Sequence, residues 1–161
     1  MSRARTAVAV MTLSMLAFTA LKNHEGYSST AVIPVKNDRP TIGHGSTFWE
    51  DGTPVKMGET ITPERAVVLA KKHISMEEKA LQKCLGNIPL YQHEYDAIMS
   101  WTYNVGTGAA CRSTLVKRLK EGRYTEACNE LSRWTRAGGR ELRGLVIRRE
   151  KERLECLGLP P

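Results

Sequence analysis

Apolar and polar positions follow two different rhythms along this chain. From residue 62 onward the apolar residues recur at helical intervals. Thr62-Pro63-Glu64 supplies an N-cap, a proline at the first helical position and an early acid, which predicts a helix running to about Leu85. Ile98, Trp101, Tyr103 and Val105 end a second helix begun near Gln92, and Leu115, Val116 and Leu119 mark a short one closed by Gly122. Ala127, Leu131 and Trp134 mark another. The last helix carries Leu142, Leu145, Val146, Leu154 and Cys156 after Gly138-Gly139 and stops before Pro160. Residues 22–60 read differently: the short apolar pieces AVIP, TIGHGS and STFWEDGTPV, separated by Asn37-Asp38-Arg39-Pro40 and Asp51-Gly52, predict a small hairpin sheet. The expected class is α+β, with a small β-hairpin lobe joined by a helix to a larger helical lobe and a cleft between them.

Ahead of the hairpin region, Arg3 and Arg5 precede an uncharged run from Thr6 to Leu21, the arrangement of an export signal. As one helix its sixteen residues would reach about 24 Å, short of a hydrocarbon core of about 30 Å, and Ala, Ser and Thr dilute it. Cleavage after Ala20 would put bulky Phe18 where a small residue is preferred and leave four residues before Glu25. That favours a retained signal/anchor segment at residues 1–21, followed by a catalytic domain at 22–161, with an ordinary cleaved signal as the other reading. A weakly apolar helix that enters the bilayer, leaves it and packs on its own domain would act as a timing device.

The length of 161 residues suits one compact domain, and 41% apolar with 25% charged residues excludes wholesale disorder and a multispanning membrane protein. Net charge is +7, and residues 112–161 hold 13 Lys and Arg against 7 Asp and Glu, so the basic surface is C-terminal. Nucleic acid is not the expected partner: zinc-finger spacing, RNP-like runs and unbroken basic blocks are missing. The basic residues interleave with Glu at helical intervals, as in Glu126/Glu130 and Glu150-Lys151-Glu152-Arg153, which reads as a solvated helix face. Cys84, Cys111, Cys128 and Cys156 are even in number, spaced 27, 17 and 28 apart and without a C-x-x-C pair, so disulfides are expected rather than metal. Four cysteines permit three pairings, and spacing does not choose among them.

Glu25 stands just after the apolar run, next to Gly26-Tyr27. A carboxyl partly desolvated there would be held protonated near neutrality, as a general acid must be. A second carboxylate could position water, and glycoside hydrolysis uses such a pair. Asp38 in the following hairpin is the nearest candidate, with Glu50 and Asp51 behind it; as a plain structural residue Asp38 would serve an Asx-type turn.

Glu25-Gly26-Tyr27 followed by Pro40-Thr41-Ile42-Gly43-His44-Gly45 resembles the active-site signature of the phage lysozymes, the muramidase-type endolysins. Met57-Gly58 with Ile61-Thr62, Ser100 to Gly106, Arg112 to Leu115, Arg133-Trp134-Thr135 with Ala137-Gly138-Gly139, and Gly144-Leu145 with Arg148-Arg149-Glu150 extend the resemblance over about residues 25–158. It implies a lysozyme-like fold. It also implies hydrolysis of the β-1,4 bond between N-acetylmuramic acid and N-acetylglucosamine in peptidoglycan, with Glu25 as the acid and Thr41 holding the attacking water. The family's usual Asp or Cys is absent, because Pro34 and Val35 occupy the two positions where it would fall, and Glu25 and Thr41 are one residue further apart than usual. Asp38 is the substitute. By the same resemblance His44 and Asn104 would serve the substrate, Asn104 otherwise being a C-cap residue; Trp101, Trp134 and Tyr103 are read as core.

The N-terminal run resembles the signal-anchor-release segment of some endolysins, which implies export to the host periplasm and transient tethering to the inner membrane through residues 6–21. Activation by a segment thiol is ruled out, since residues 1–83 contain no cysteine. Position in the helical lobe then favours Cys84 with Cys111 and Cys128 with Cys156. A monomer without metal or cofactor is expected. A lytic transglycosylase and an inactive cell-wall binder are the competing readings.

Overall fold

The computed structural model describes residues 4–160. The chain divides into two compact units: a hairpin unit, Phe18–Met76, and a helical unit formed by the described residues up to Ala17 and from Glu77 onward.

In the hairpin unit, helix α1 (Met15–Glu25) feeds strand β2 (Ser28–Val32), which pairs antiparallel with β3 (Thr41–Gly43) through Ser28↔Gly43 and Val32↔Thr41. A third extended segment joins through the Thr30↔Thr60 bridge. Bonds from Ala31 N to the Glu59 carbonyl and from Ile61 N to the Ser29 carbonyl, each 2.9 Å, flank that bridge. Ala31, Ile42, Val55 and Ile61 pack with Ala66 and Leu69 of helix α2 (Pro63–Leu85), and Trp49 leans on the cluster. The expected start of α2 holds: Thr62 Oγ1 accepts the Arg65 amide at 3.3 Å, with Pro63 as the first helical residue.

The helical unit is built around α3 (Gln92–Val105), in which Tyr95, Ala97, Ile98, Met99 and Trp101 are wholly buried. Helix α7 (Arg143–Cys156) packs on α3, while α5 (Thr114–Lys120) packs on α6 (Tyr124–Glu130) and the short α4 (Thr107–Cys111) follows α3 directly. Trp101 meets half-buried Trp134 edge-on, ring centroids 5.2 Å apart. Cys84 is bonded to Cys111 and Cys128 to Cys156, the expected pairing. A hairpin of β5 (Arg136–Ala137) and β6 (Arg140–Glu141) turns at Gly138-Gly139, where the sequence shows only a helix break.

Two expectations need correction. The run from Thr6 to Leu21 is not one helix. Strand β1 (Thr6–Ala7) pairs with β4 (Pro89–Leu90), a 3-10 turn follows at Val8–Val10, and α1 begins only at Met15. The break is held by distant side chains: the Leu13 amide donates to Glu78 Oε1 at 2.5 Å, the Ser14 amide to Asp96 Oδ1 at 3.0 Å, and Gln82 Nε2 to the Met11 carbonyl at 2.7 Å. Ser14 Oγ then accepts the Ala17 amide at 3.1 Å, starting α1. The Arg5 guanidinium forks onto Glu94, at 2.8 and 3.1 Å, between the rings of Tyr91 and Tyr124. Among the described residues no helix is long and apolar enough to cross a membrane.

The charged face of the last helix is likewise not wholly solvated. Arg149 is 1% exposed and Glu152 4%. Arg149 bonds Glu152, and Glu152 also accepts from Arg148 at 3.1 Å and from Ser100 Oγ at 2.8 Å. Only the Glu150–Arg153 side of the helix keeps the solvated ion pairing that the interleaving suggested.

Candidate active site

Glu25 closes α1, and the chain leaves the helix through Gly26, whose φ of +73° is a left-handed conformation that glycine adopts without strain. Tyr27 is then pinned by its hydroxyl, which donates to the Ile61 carbonyl at 3.1 Å, so β2 starts in a fixed direction. Opposite it, β3 ends in a tight reversal: Ile42 and Ser46 exchange both backbone bonds, at 2.9 and 3.0 Å, around Gly43-His44-Gly45.

Both glycines in that reversal have positive φ, and each faces a neighbour. A Cβ on Gly43 would lie 3.0 Å from the Ala66 methyl of α2, and one on Gly45 would lie 3.4 Å from Glu25 Oε2. The Glu25 carboxylate therefore rests over Gly45, and the two halves of the sequence signature meet in space. Gly45 is a site residue that the motif contains but that sequence reasoning passed over.

His44 points the same way: its Nδ1 bonds the Gly26 carbonyl at 2.5 Å and its ring stands 5.5 Å from that of Tyr27. Thr41 is half-buried at the start of β3. Because Ile42 turns into the core, the strand's alternation puts the Thr41 side chain on the other face. Its hydroxyl reaches the Val32 carbonyl only at 3.4 Å, a weak bond easily exchanged for a water.

Glu25 itself is exposed, so the desolvation expected at the end of an apolar run is not supplied.

The candidate second acids have local partners. Asp38 is exposed in the loop between β2 and β3, where its Oδ1 accepts the Arg39 amide at 2.8 Å and its own amide bonds the Val35 carbonyl at 2.9 Å, after Asn37 at φ +69°. Glu50 forks with Arg65 at 3.2 and 3.1 Å, which holds its carboxyl below the usual range. Asp51 accepts the Thr53 hydroxyl and amide, at 2.7 and 2.9 Å, and is lowered by them. Of these three, Glu50 is paired with a charged side chain, Asp51 is bonded by the side chain and backbone of Thr53, and the Asp38 carboxylate is bonded by the Arg39 backbone amide.

Asn104 lies in the helical unit, one residue before the end of α3, and the cap is Gly106 rather than Asn104. Its Oδ1 accepts from Arg149, whose Nε donates to the Trp134 carbonyl at 3.0 Å. Arg149 was legible only as one of a basic pair; its spacing of three residues from Glu152 is the signal that could have found the buried ion pair. Among the described residues no group of three side chains could hold a metal ion.

The family model for phage lysozyme matches residues 22–152. The endolysin of Bacillus phage B103 is 33% identical over 89% of the chain, and the chain spans about half of that protein's length, 53%. The SAR-endolysin of Enterobacteria phage PA-2 is 29% identical over 90% of the chain and 86% of its own length. Among solved structures, the endolysin from Escherichia coli O157:H7 phage FAHEc1 superposes with a TM-score of 0.81 at 32% identity, covering 94% of this chain and 98% of its own.

Proposed function

The chain belongs to the phage lysozyme family, lysozyme-type glycoside hydrolases that lyse peptidoglycan, and from that premise we propose that it cuts the β-1,4 bond between N-acetylmuramic acid and N-acetylglucosamine with Glu25 as proton donor. The observation that carries this reading is the Glu25 carboxylate lying over Gly45, in the turn that follows Thr41. Glu25 protonates the glycosidic oxygen as the bond breaks, and charge builds on the sugar ring in an oxocarbenium-like transition state. Thr41, its hydroxyl only weakly held by Val32, orients the attacking water. Asp38 is the carboxylate that assists, since Glu50 and Asp51 are held by Arg65 and Thr53. Substrate packed against the exposed Glu25 would exclude water from its carboxyl, and such desolvation favours the protonated form of a carboxylic acid.

One observation favours a second reading. Positions 34 and 35 are Pro and Val, and the Asp38 carboxylate bonds its own turn, so a lytic transglycosylase that works with Glu25 alone is the competitor. Muropeptide masses separate the two: hydrolysis leaves a reducing sugar, and the transglycosylase product is lighter by one water. Glu25→Gln keeps the shape and removes the proton, so lysis at the wild-type rate by that variant would refute both enzymes and leave a cell-wall binder.

The uncharged run at residues 6–21, together with the similarity to a SAR-endolysin, supports export to the host periplasm with initial tethering to the inner membrane. The folded arrangement, with Arg5, Leu13 and Ser14 bonded to Glu94, Glu78 and Asp96, is then the released form, acting as a monomer on peptidoglycan. Membrane fractionation before and after collapse of the membrane potential tests this: the chain moves from the membrane to the soluble periplasmic fraction with its N-terminus intact, and a mature N-terminus near residue 21 contradicts it.

A further inference from the structure

The bond between His44 and Gly26 does something that a role in sugar binding does not require. The Gly26 carbonyl can only accept, so His44 Nδ1 must carry the hydrogen in that bond, and of the two tautomers of an uncharged imidazole only the Nδ1–H form can make it. That is the less common tautomer of a free imidazole, and it is selected here by a backbone oxygen one residue beyond Glu25. Gly26 immediately follows α1, whose last turn carries the partial negative charge of the helix and favours a donor nearby. On its other side, the ring packs against Tyr27, itself pinned to the Ile61 carbonyl. His44 thus ties the reversal after β3 to the residue that follows Glu25, and the next residue in that reversal is Gly45, over which the carboxylate lies.

We propose that His44 is a positioning residue for Glu25: by donating from Nδ1 to the Gly26 carbonyl, it fixes the distance between the end of α1 and the Gly43-His44-Gly45 turn, and so holds the carboxyl in its reactive place. The proposal rests on Glu25 being the proton donor. Misplacing a catalytic group by about 1 Å costs up to about 100-fold in rate, while substrate contacts made elsewhere are left as they were. The signature is therefore a fall in kcat without a matching rise in KM.

Two measurements test it. On the intact wild-type protein, a long-range proton–nitrogen correlation spectrum of the imidazoles reads the His44 tautomer directly, and Nδ1–H is expected; an Nε2–H ring overturns the proposal whatever the variants do. Kinetics on soluble peptidoglycan fragments then compare wild type with His44→Ala and His44→Asn, the Asn amide occupying nearly the place of Nδ1–H. Expected are a kcat about 10- to 100-fold lower for His44→Ala with KM within about twofold, and recovery of most of that loss by His44→Asn. A His44→Ala enzyme within twofold of wild type overturns the proposal, as does a His44→Asn enzyme no better than His44→Ala. If His44→Ala fails to fold, the tautomer and the His44→Asn rate still decide. Glu25→Gln is run alongside: if it keeps wild-type activity, the Glu25 reading has failed, whereas an inactive Glu25→Gln beside a fully active His44→Ala isolates the failure to His44.

Discussion

The hairpin unit and the helical unit are held together by different means. In Phe18–Met76 the core is small, and the site is shaped by backbone: glycines at positive φ, a carbonyl gripped by an imidazole, a carboxylate against a residue with no side chain. The helical unit has both disulfides, a wholly buried Trp101 and the buried Arg149–Glu152 pair. The contrast teaches where each kind of change should register. In the hairpin unit, shape-preserving substitution of the carboxylate that faces the turn should move rate and spare stability; in the helical unit, substitutions in the cross-linked core should move stability and spare rate.

The largest expected effect is on rate. Glu25→Gln should lower lysis about 100- to 10,000-fold, the usual worth of a positioned acid, with an unchanged melting temperature. On the other side of the comparison, Arg149→Met leaves Glu152 buried with only Arg148 and Ser100, and should cost about 3 kcal/mol in denaturant unfolding with kcat at 25 °C retained. Replacing Cys128 and Cys156 together by Ser opens a loop of 28 residues and should cost about 3–4 kcal/mol in the chain-entropy account, again with rate preserved. Gly45→Ala should lower kcat about 10-fold and also cost about 1–2 kcal/mol in unfolding, because φ +88° strains any L side chain in the turn that touches the Glu25 carboxylate. A rate loss in either helical-unit variant that stability does not explain would break the division.

The smallest effect is a pH dependence. Partial desolvation, with Asp96 and Glu152 nearby, raises the Glu155 carboxyl to about 7. The folded state therefore binds this proton more tightly than the unfolded chain, whose carboxyl titrates near 4.3. Its contribution is fully present below the unfolded value and is lost as pH rises through about 7. Thermal melts should show Glu155→Gln gaining on the wild type from pH 5 to pH 8, and parallel curves would refute the assignment.

What could be read from sequence was what neighbouring residues decide. Thr62-Pro63 starts α2 by capping its own helix, and the Glu25 and Thr41–Gly45 pieces announce the site because each is a local motif. What escaped depends on residues far along the chain. The uncharged run breaks at Leu13-Ser14 because Glu78 and Asp96, 65 and 82 residues on, take the two amides. Arg149 and Glu152 look like surface charges until Ser100 and Asn104 are brought against them. The exposure of Glu25 escaped as well, since an apolar run does not say whether the polar residue that ends it is covered by other parts of the chain.

The central claim, glycan cleavage with Glu25 as the acid, is tested most directly by digesting purified peptidoglycan with wild type and Glu25→Gln and weighing the released muropeptides. The account predicts disaccharide muropeptides with reducing ends from the wild type and none above background from Glu25→Gln. Anhydro products from the wild type, or equal release by both proteins, would contradict it.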